Sequence, residues 1–180
     1  MADLIIGSSN IISTDSGTPT IQSGVKFPAG IIVQIVNTTM NRIDEDLVHT
    51  TSYFEPGSTV NNGEMSRTIT PKVSGNKLLV MVNYLPRGRA PSGQDMRFDV
   101  ELQGGPTDSM TQQWEIIRAS DNLGKLGDTV IMPCEVNKNY FYTTTSTAEH
   151  KFTLRVKTLS STGVYHRSGG GDITIMEIQA

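Results

Sequence analysis

The sequence predicts an all-β fold, a jelly-roll-like antiparallel β-sandwich with an extended N-terminal arm, and three observations predict it. KFTLRVK (Lys151 to Lys157) and DMRFDVEL (Asp95 to Leu102) alternate between apolar and polar residues, the period of two of a strand with one wet face. Turn-forming clusters (EPGS, NNGE, PKVSGN, RGRAPSG, GGPTD, DNLGKLGD, NKN and RSGGGD) punctuate the chain, at the spacing of about 8 to 12 residues typical of sandwiches. Helical periodicity is absent: QQWEIIRASDN, the best helix candidate, is short and β-branched in its middle.

Taken in order, residues 1–29 set short apolar pairs among Gly, Ser, Thr, Asn and Asp, with breaks at Pro19 and Pro28. Such a segment buries too little apolar area to order itself, so it is expected to be an attachment arm that packs against a neighbour. Its anchors would be Leu4, Ile5, Ile6, Ile11 and Ile12. Residues 30–180 read as the sandwich. GIIVQIV (Gly30 to Val36) and KLLVMVNYL (Lys77 to Leu85) are apolar on both faces, as central strands covered on each side would be. LVHTTSYF, SRTIT, QQWEIIR, TVIMPCEV and NYFYTTT are weaker strand candidates, and DITIMEI brings the count to about nine or ten. In DITIMEI, Thr174, Met176 and Ile178 fall on one face, and Ile173, Ile175 and Glu177 on the other. Neither face is strongly polar, so this strand should be covered on both sides, with Glu177 near a rim or paired.

At 180 residues the chain has room for one domain plus an arm. A formal charge of -3 and an aromatic share of 6% argue against a nucleic-acid surface. The single cysteine, Cys134, rules out an intrachain disulfide and suits a reducing cytoplasm. The first residues lack the positive n-region of a signal peptide. No apolar run approaches the roughly 18 residues of a membrane helix, so a soluble protein without membrane insertion is expected.

The run SGVKFPAGIIVQIV, then TITPKVSGNKLLVMVNY about forty residues on, then a closing DITIMEIQA, resembles a family of short phage virion proteins, frequent in marine and cyanobacterial phages, of the tail-fibre and structural type. In that family a polar leader reaches an FPAG step and a first strand, an ITP step leads into a core strand, and the chain closes on a strand ending MEI. The specificity lies in the order and spacing of these motifs, since each alone is a common β pattern. RGRAPSGQD and GGPTDSMTQQW depart from the family's pattern, so no receptor preference carries over. The resemblance implies a virion surface protein with a β-sandwich body, an N-terminal attachment arm and a trimeric state.

Candidate chemistry is sparse. Asp44, Glu45 and Asp46 could offer oxygens to a divalent cation, but adjacent residues of an extended chain point to opposite faces and no calcium loop follows, which favours a solvated loop. Asp99 and Glu101 share a strand face as a glycosidase pair would. Arg97 and the lysines and arginine of the 151–157 strand supply matching cations, so a laced polar face is the stronger reading. His49, His150 and His166 are scattered, without zinc-ligand spacing. Cys134 reads as a small core residue. SGGGD (Ser168 to Asp172) precedes a strand rather than opening a helix, and reads as a flexible hairpin loop, not a phosphate cradle. Arg87 and Arg89, in a loop held by Gly and Pro, could grip anionic groups on a neighbour or a host glycan, and Tyr140, Phe141 and Tyr142 could stack on a sugar face, though alternating aromatics in a strand are more often half core and half rim.

The functional expectation is a non-enzymatic bacteriophage virion structural protein without metal or cofactor. It would be assembled in the host cytoplasm and displayed on the particle as a tail-fibre-type or knob appendage. Its expected partners are copies of itself as a homotrimer, other virion proteins of capsid or tail, and a host surface glycan. A capsid decoration protein and a carbohydrate-binding or carbohydrate-active sandwich domain are the alternatives.

Overall fold

The structure, a computed structural model, describes residues 4–6, 9–13, 20–21, 29–41, 43–47, 52–56, 64–89, 96–120, 135–158 and 165–180. Among them there is no helix. In chain order the strands are β1 (Leu4–Ile6), β2 (Ser9–Ser13), β3 (Thr20–Ile21), β4 (Ile32–Met40), β5 (Ile43–Leu47), β6 (Ser66–Ile69), β7 (Lys77–Arg89), β8 (Met96–Pro106), β9 (Thr111–Ser120), β10 (Val136–Thr143), β11 (His150–Thr158) and β12 (Tyr165–Ile178).

β1, β2 and β3 form a small antiparallel sheet of their own within the segment read as the arm. The body has two further sheets. One runs β10-β7-β12-β4, with β5 pairing on β12 beyond β4; the other runs β6-β11-β8-β9. Counting β5 as the continuation of β4, the body strands pair first with last (β4 with β12), second with seventh (β6 with β11), third with sixth (β7 with β10) and fourth with fifth (β8 with β9), every ladder antiparallel. That is one long hairpin rolled up on itself, the jelly roll.

The alternation of each strand decides which side chains meet between the sheets. β7 sends Leu78, Val80, Val82 and Tyr84 inward, β8 Val100 and Leu102, β11 Phe152, Leu154 and Val156, and β12 Ile173 and Ile175; all are buried. They form one core, joined by Met40, Met65, Ile69, Trp114 and Val136. Each such side chain contributes about 1.5–3 kcal/mol relative to exposure.

β12 lies between β7 and β4 in the middle of its sheet, partnered along both edges. At its end Glu177 points inward and is fully buried. Its carboxylate accepts from Gln34 Nε2 at 2.6 Å, Asn76 Nδ2 at 2.6 Å, Lys72 N at 2.9 Å and Val73 N at 3.3 Å. Asn76 in turn is anchored through Thr144, whose hydroxyl donates to the Asn76 carbonyl at 3.0 Å. A buried charge is tolerated only when hydrogen-bonded in this way. Here it pins the β6–β7 turn across the end of the sandwich.

Two segments read as loops are strands, and a third starts in one. RGRAPSG begins within β7, where Arg87 pairs with Arg167 and Arg89 with Tyr165. The acidic run Asp44–Asp46 lies within β5, which a short strand at a sheet edge tolerates. SGGGD lies inside β12: between Ser168 and Gly171 this strand spends three steps where β7 spends two, Pro86 to Tyr84. This is a β-bulge. Gly170 takes the positive φ of 98° there, and a Cβ on Gly171 would lie 2.5 Å from the Asn83 carbonyl oxygen. The glycines are what let the strand pass. QQWEIIRASDN, the best helix candidate, contributes β9, whose Trp114 faces the core.

Candidate functional site

The outer faces of the two sheets differ. On the four-stranded sheet the cross-strand register sets Lys157 opposite Asp99 and Arg155 opposite Glu101, with ion pairs of 3.4 Å each and a further Lys157 contact to Glu115 at 3.7 Å. Tyr53 roofs the cluster. Its ring lies 4.1 Å from the Lys157 Nζ and 5.4 Å from the Arg155 guanidinium, and its hydroxyl donates to Glu115. The segment is held there by Phe54, which exchanges both backbone hydrogen bonds with Val156. Asp99 and Glu101, the candidate glycosidase pair, are therefore buried members of a cross-strand ion-pair ladder. Burial pushes the Glu101 carboxyl up, and the neighbouring Arg155 pulls it back.

Burial, and then the Glu115 hydrogen bond, push the Tyr53 phenol well above the ordinary tyrosine range. A group with a raised folded pKa binds its proton more tightly folded than unfolded. As pH climbs through about 10 the unfolded chain ionises while folded Tyr53 does not, so stability falls. Urea midpoints measured between about pH 8 and 11 should decline, and the decline should be shallower in Tyr53→Phe. Parallel declines in the two proteins would refute this origin.

The outer face of the five-stranded sheet is organised in rows by its registers. Phe141 of β10, Leu79 of β7, Met176 of β12 and Ile35 of β4 stand side by side, an apolar row across four strands. Phe141 is 60% exposed and Ile35 54%. The next row is Asn139, Met81, Thr174 and Asn37, and the one after is wholly polar: Asn137, Asn83, Asp172 and Thr39. The apolar outer row accounts for the doubly apolar reading of KLLVMVNYL.

Apart from Asp99 and Glu101, the residues singled out from the sequence that the structure describes lie on several strands. Tyr140 and Tyr142 are half-buried and pack against the core; Tyr142 meets His150 and Phe152 edge-on at centroid distances of 5.4 and 5.6 Å. The exposed aromatic of that strand is Phe141, between them. Arg87 and Arg89 lie on β7, and their side chains fall outside the described residues, as do those of His166 and Asp44, Glu45 and Asp46. Leu4, Ile5 and Ile6 are β1, and Ile11 and Ile12 belong to β2. His150 is buried, its Nδ1 2.8 Å from the Ala148 carbonyl. His49 and Cys134 lie outside the described residues.

No family model and no curated protein matches the chain. Among solved structures, Eiger TNF from S. frugiperda is similar with a TM-score of 0.40 and 9% identity, over 79% of this chain and 92% of that one. Dimeric latent PorU from Porphyromonas gingivalis is similar with a TM-score of 0.42 and 11% identity, over 86% of this chain but 14% of that one. At these values neither likeness says anything of what the chain does.

Proposed function

We propose that the chain is a non-enzymatic bacteriophage virion structural protein, displayed on the particle as a tail-fibre-type or knob appendage. In this reading it is a homotrimer, built by packing the apolar row of the five-stranded sheet's outer face against other copies. The order and spacing of the FPAG, ITP and MEI motifs support the virion assignment. The observation that carries the assembly is the apolar row Phe141, Leu79, Met176 and Ile35 across four strands of the outer face, with Phe141 and Ile35 more than half exposed. In a monomer this row stays in water, and covering it with an identical surface removes apolar area without needing a second protein.

Light scattering should give three times the 19.6 kDa chain mass, and Phe141→Asp with Ile35→Asp should lower it to one chain while leaving the circular dichroism unchanged. A wild-type monomer at micromolar concentration would overturn the assembly. Gold-labelled antibody on purified particles should mark the virion, at tail or capsid, and unlabelled particles would overturn the assignment.

A further inference from the structure

The polar end of the same sheet face holds a cleft of about 560 Å³, within the range of small-molecule sites, roughly 300–1,000 Å³. It is lined by Thr39 and Asn41 at the end of β4, Asn83 and Leu85 on β7, Glu135 just before β10 and Asp172 on β12, beside the glycine bulge. The bulge is why a hollow exists here. β12 gains a residue against β7, and Gly170 brings no side chain to fill the space.

The lining selects the ligand. Two carboxylates, Glu135 and Asp172, line the cleft, and their charge disfavours phosphate, sulfate and carboxylate ligands. Besides Met40, Leu85 and the two glycines, the lining consists of five polar side chains, which an apolar ligand would strip of water without repayment. Among the described residues no group of three His, Cys, Asp or Glu is placed to hold a metal ion, and the volume far exceeds that of a bare cation. A neutral polyhydroxyl molecule fits what remains. Carboxylates accept from hydroxyls, carboxamides both donate and accept, and Leu85 offers a small apolar patch for C–H groups. Glu135 is already oriented, its Oε1 accepting from Asn137 Nδ2 at 2.7 Å.

We propose that this cleft is a binding site for a neutral saccharide, with Asp172 and Glu135 accepting from its hydroxyls and Asn41 and Asn83 donating to them. The site stands on its own lining and does not depend on the virion reading; within that reading it is the contact to a host glycan.

The test is saturation-transfer NMR and calorimetry on the full chain in EDTA, with glucose, galactose, mannose, N-acetylglucosamine and their disaccharides up to about 10 mM. At least one should bind saturably. Asp172→Asn, which keeps the side-chain shape, and Asn83→Ala should each weaken binding by about tenfold or more, the loss expected for a hydrogen bond to a charged or buried polar group. Phe141→Asp should bind as the wild type does. Absence of binding by every sugar, binding unchanged in both cleft variants, or binding only when calcium chloride replaces EDTA would each overturn the proposal. Sugar binding by a protein missing from virions would sink the virion reading alone.

Discussion

Glu177→Ala is expected to cost about 3–5 kcal/mol, the range for removing one partner from a buried charged network. The substitution deletes the acceptor of two side-chain amides and the backbone N–H groups of Lys72 and Val73. Asn76 is itself buried, so its amide cannot recover a bond from water, and each stranded donor carries a penalty of about 1–3 kcal/mol. The β6–β7 turn would also lose its tie to the sandwich end. Against a total stability of about 5–15 kcal/mol, such a loss leaves a marginal protein. Glu177→Gln keeps one oxygen and the shape, but turns an N–H pair toward donors, so it should fall between wild type and alanine. Urea unfolding monitored by far-UV circular dichroism reads both. An alanine variant within about 0.5 kcal/mol of wild type, the scatter of ordinary surface changes, would show that the carboxylate holds nothing.

Removal of residues 173–180 should abolish the cooperative fold. The segment contains Ile173 and Ile175, both fully buried, and Glu177. Its loss uncovers the edges of β7 and β4 in the middle of the sheet. Two aliphatic side chains at about 1.5–3 kcal/mol each, added to the carboxylate network, already approach the whole stability of a domain. The bare edges would also invite pairing between chains. The truncated chain should therefore be insoluble or unfolded. A soluble product with the wild-type melting temperature would show that β12 is dispensable beyond Asp172.

Where a strand keeps one face wet, its alternation was legible: β8 and β11 stand where DMRFDVEL and KFTLRVK put them, and the cations opposite Asp99 and Glu101 are Lys157 and Arg155. The terminal strand was also legible, with Glu177, expected near a rim or paired, buried and hydrogen-bonded at the strand's end. Composition misled at SGGGD, at the 44–46 run and at Arg87 to Arg89, where RGRAPSG begins. Glycine in a strand marks a bulge as readily as a turn, and nothing local says which, because the bulge is defined by the partner's register. The aromatic run Tyr140 to Tyr142 divides as alternation suggests, with Tyr140 and Tyr142 packed against the core and Phe141 exposed. The cleft was the least legible part, since its walls come from separate strands far apart in sequence. Its one local signal was a polar residue interrupting an apolar strand: Asn83 within LLVMVNYL and Asp172 before ITIMEI.

The pairing of the first body strand with the last also governs how the molecule is made. Among the described residues, Val36 of β4 pairs only with β12, opposite Ile175, so β4 leaves the ribosome early and waits for a partner until nearly all of the body has been translated. Until then its apolar residues and those of β7 lack their shared neighbour, and the nascent chain holds open strand edges. Folding by such distant pairings is slow, and exposed edges aggregate at the concentrations of heavy expression. Yield from a cell should therefore depend on temperature and on chaperones that shield nascent chains more than on the stability of the finished fold.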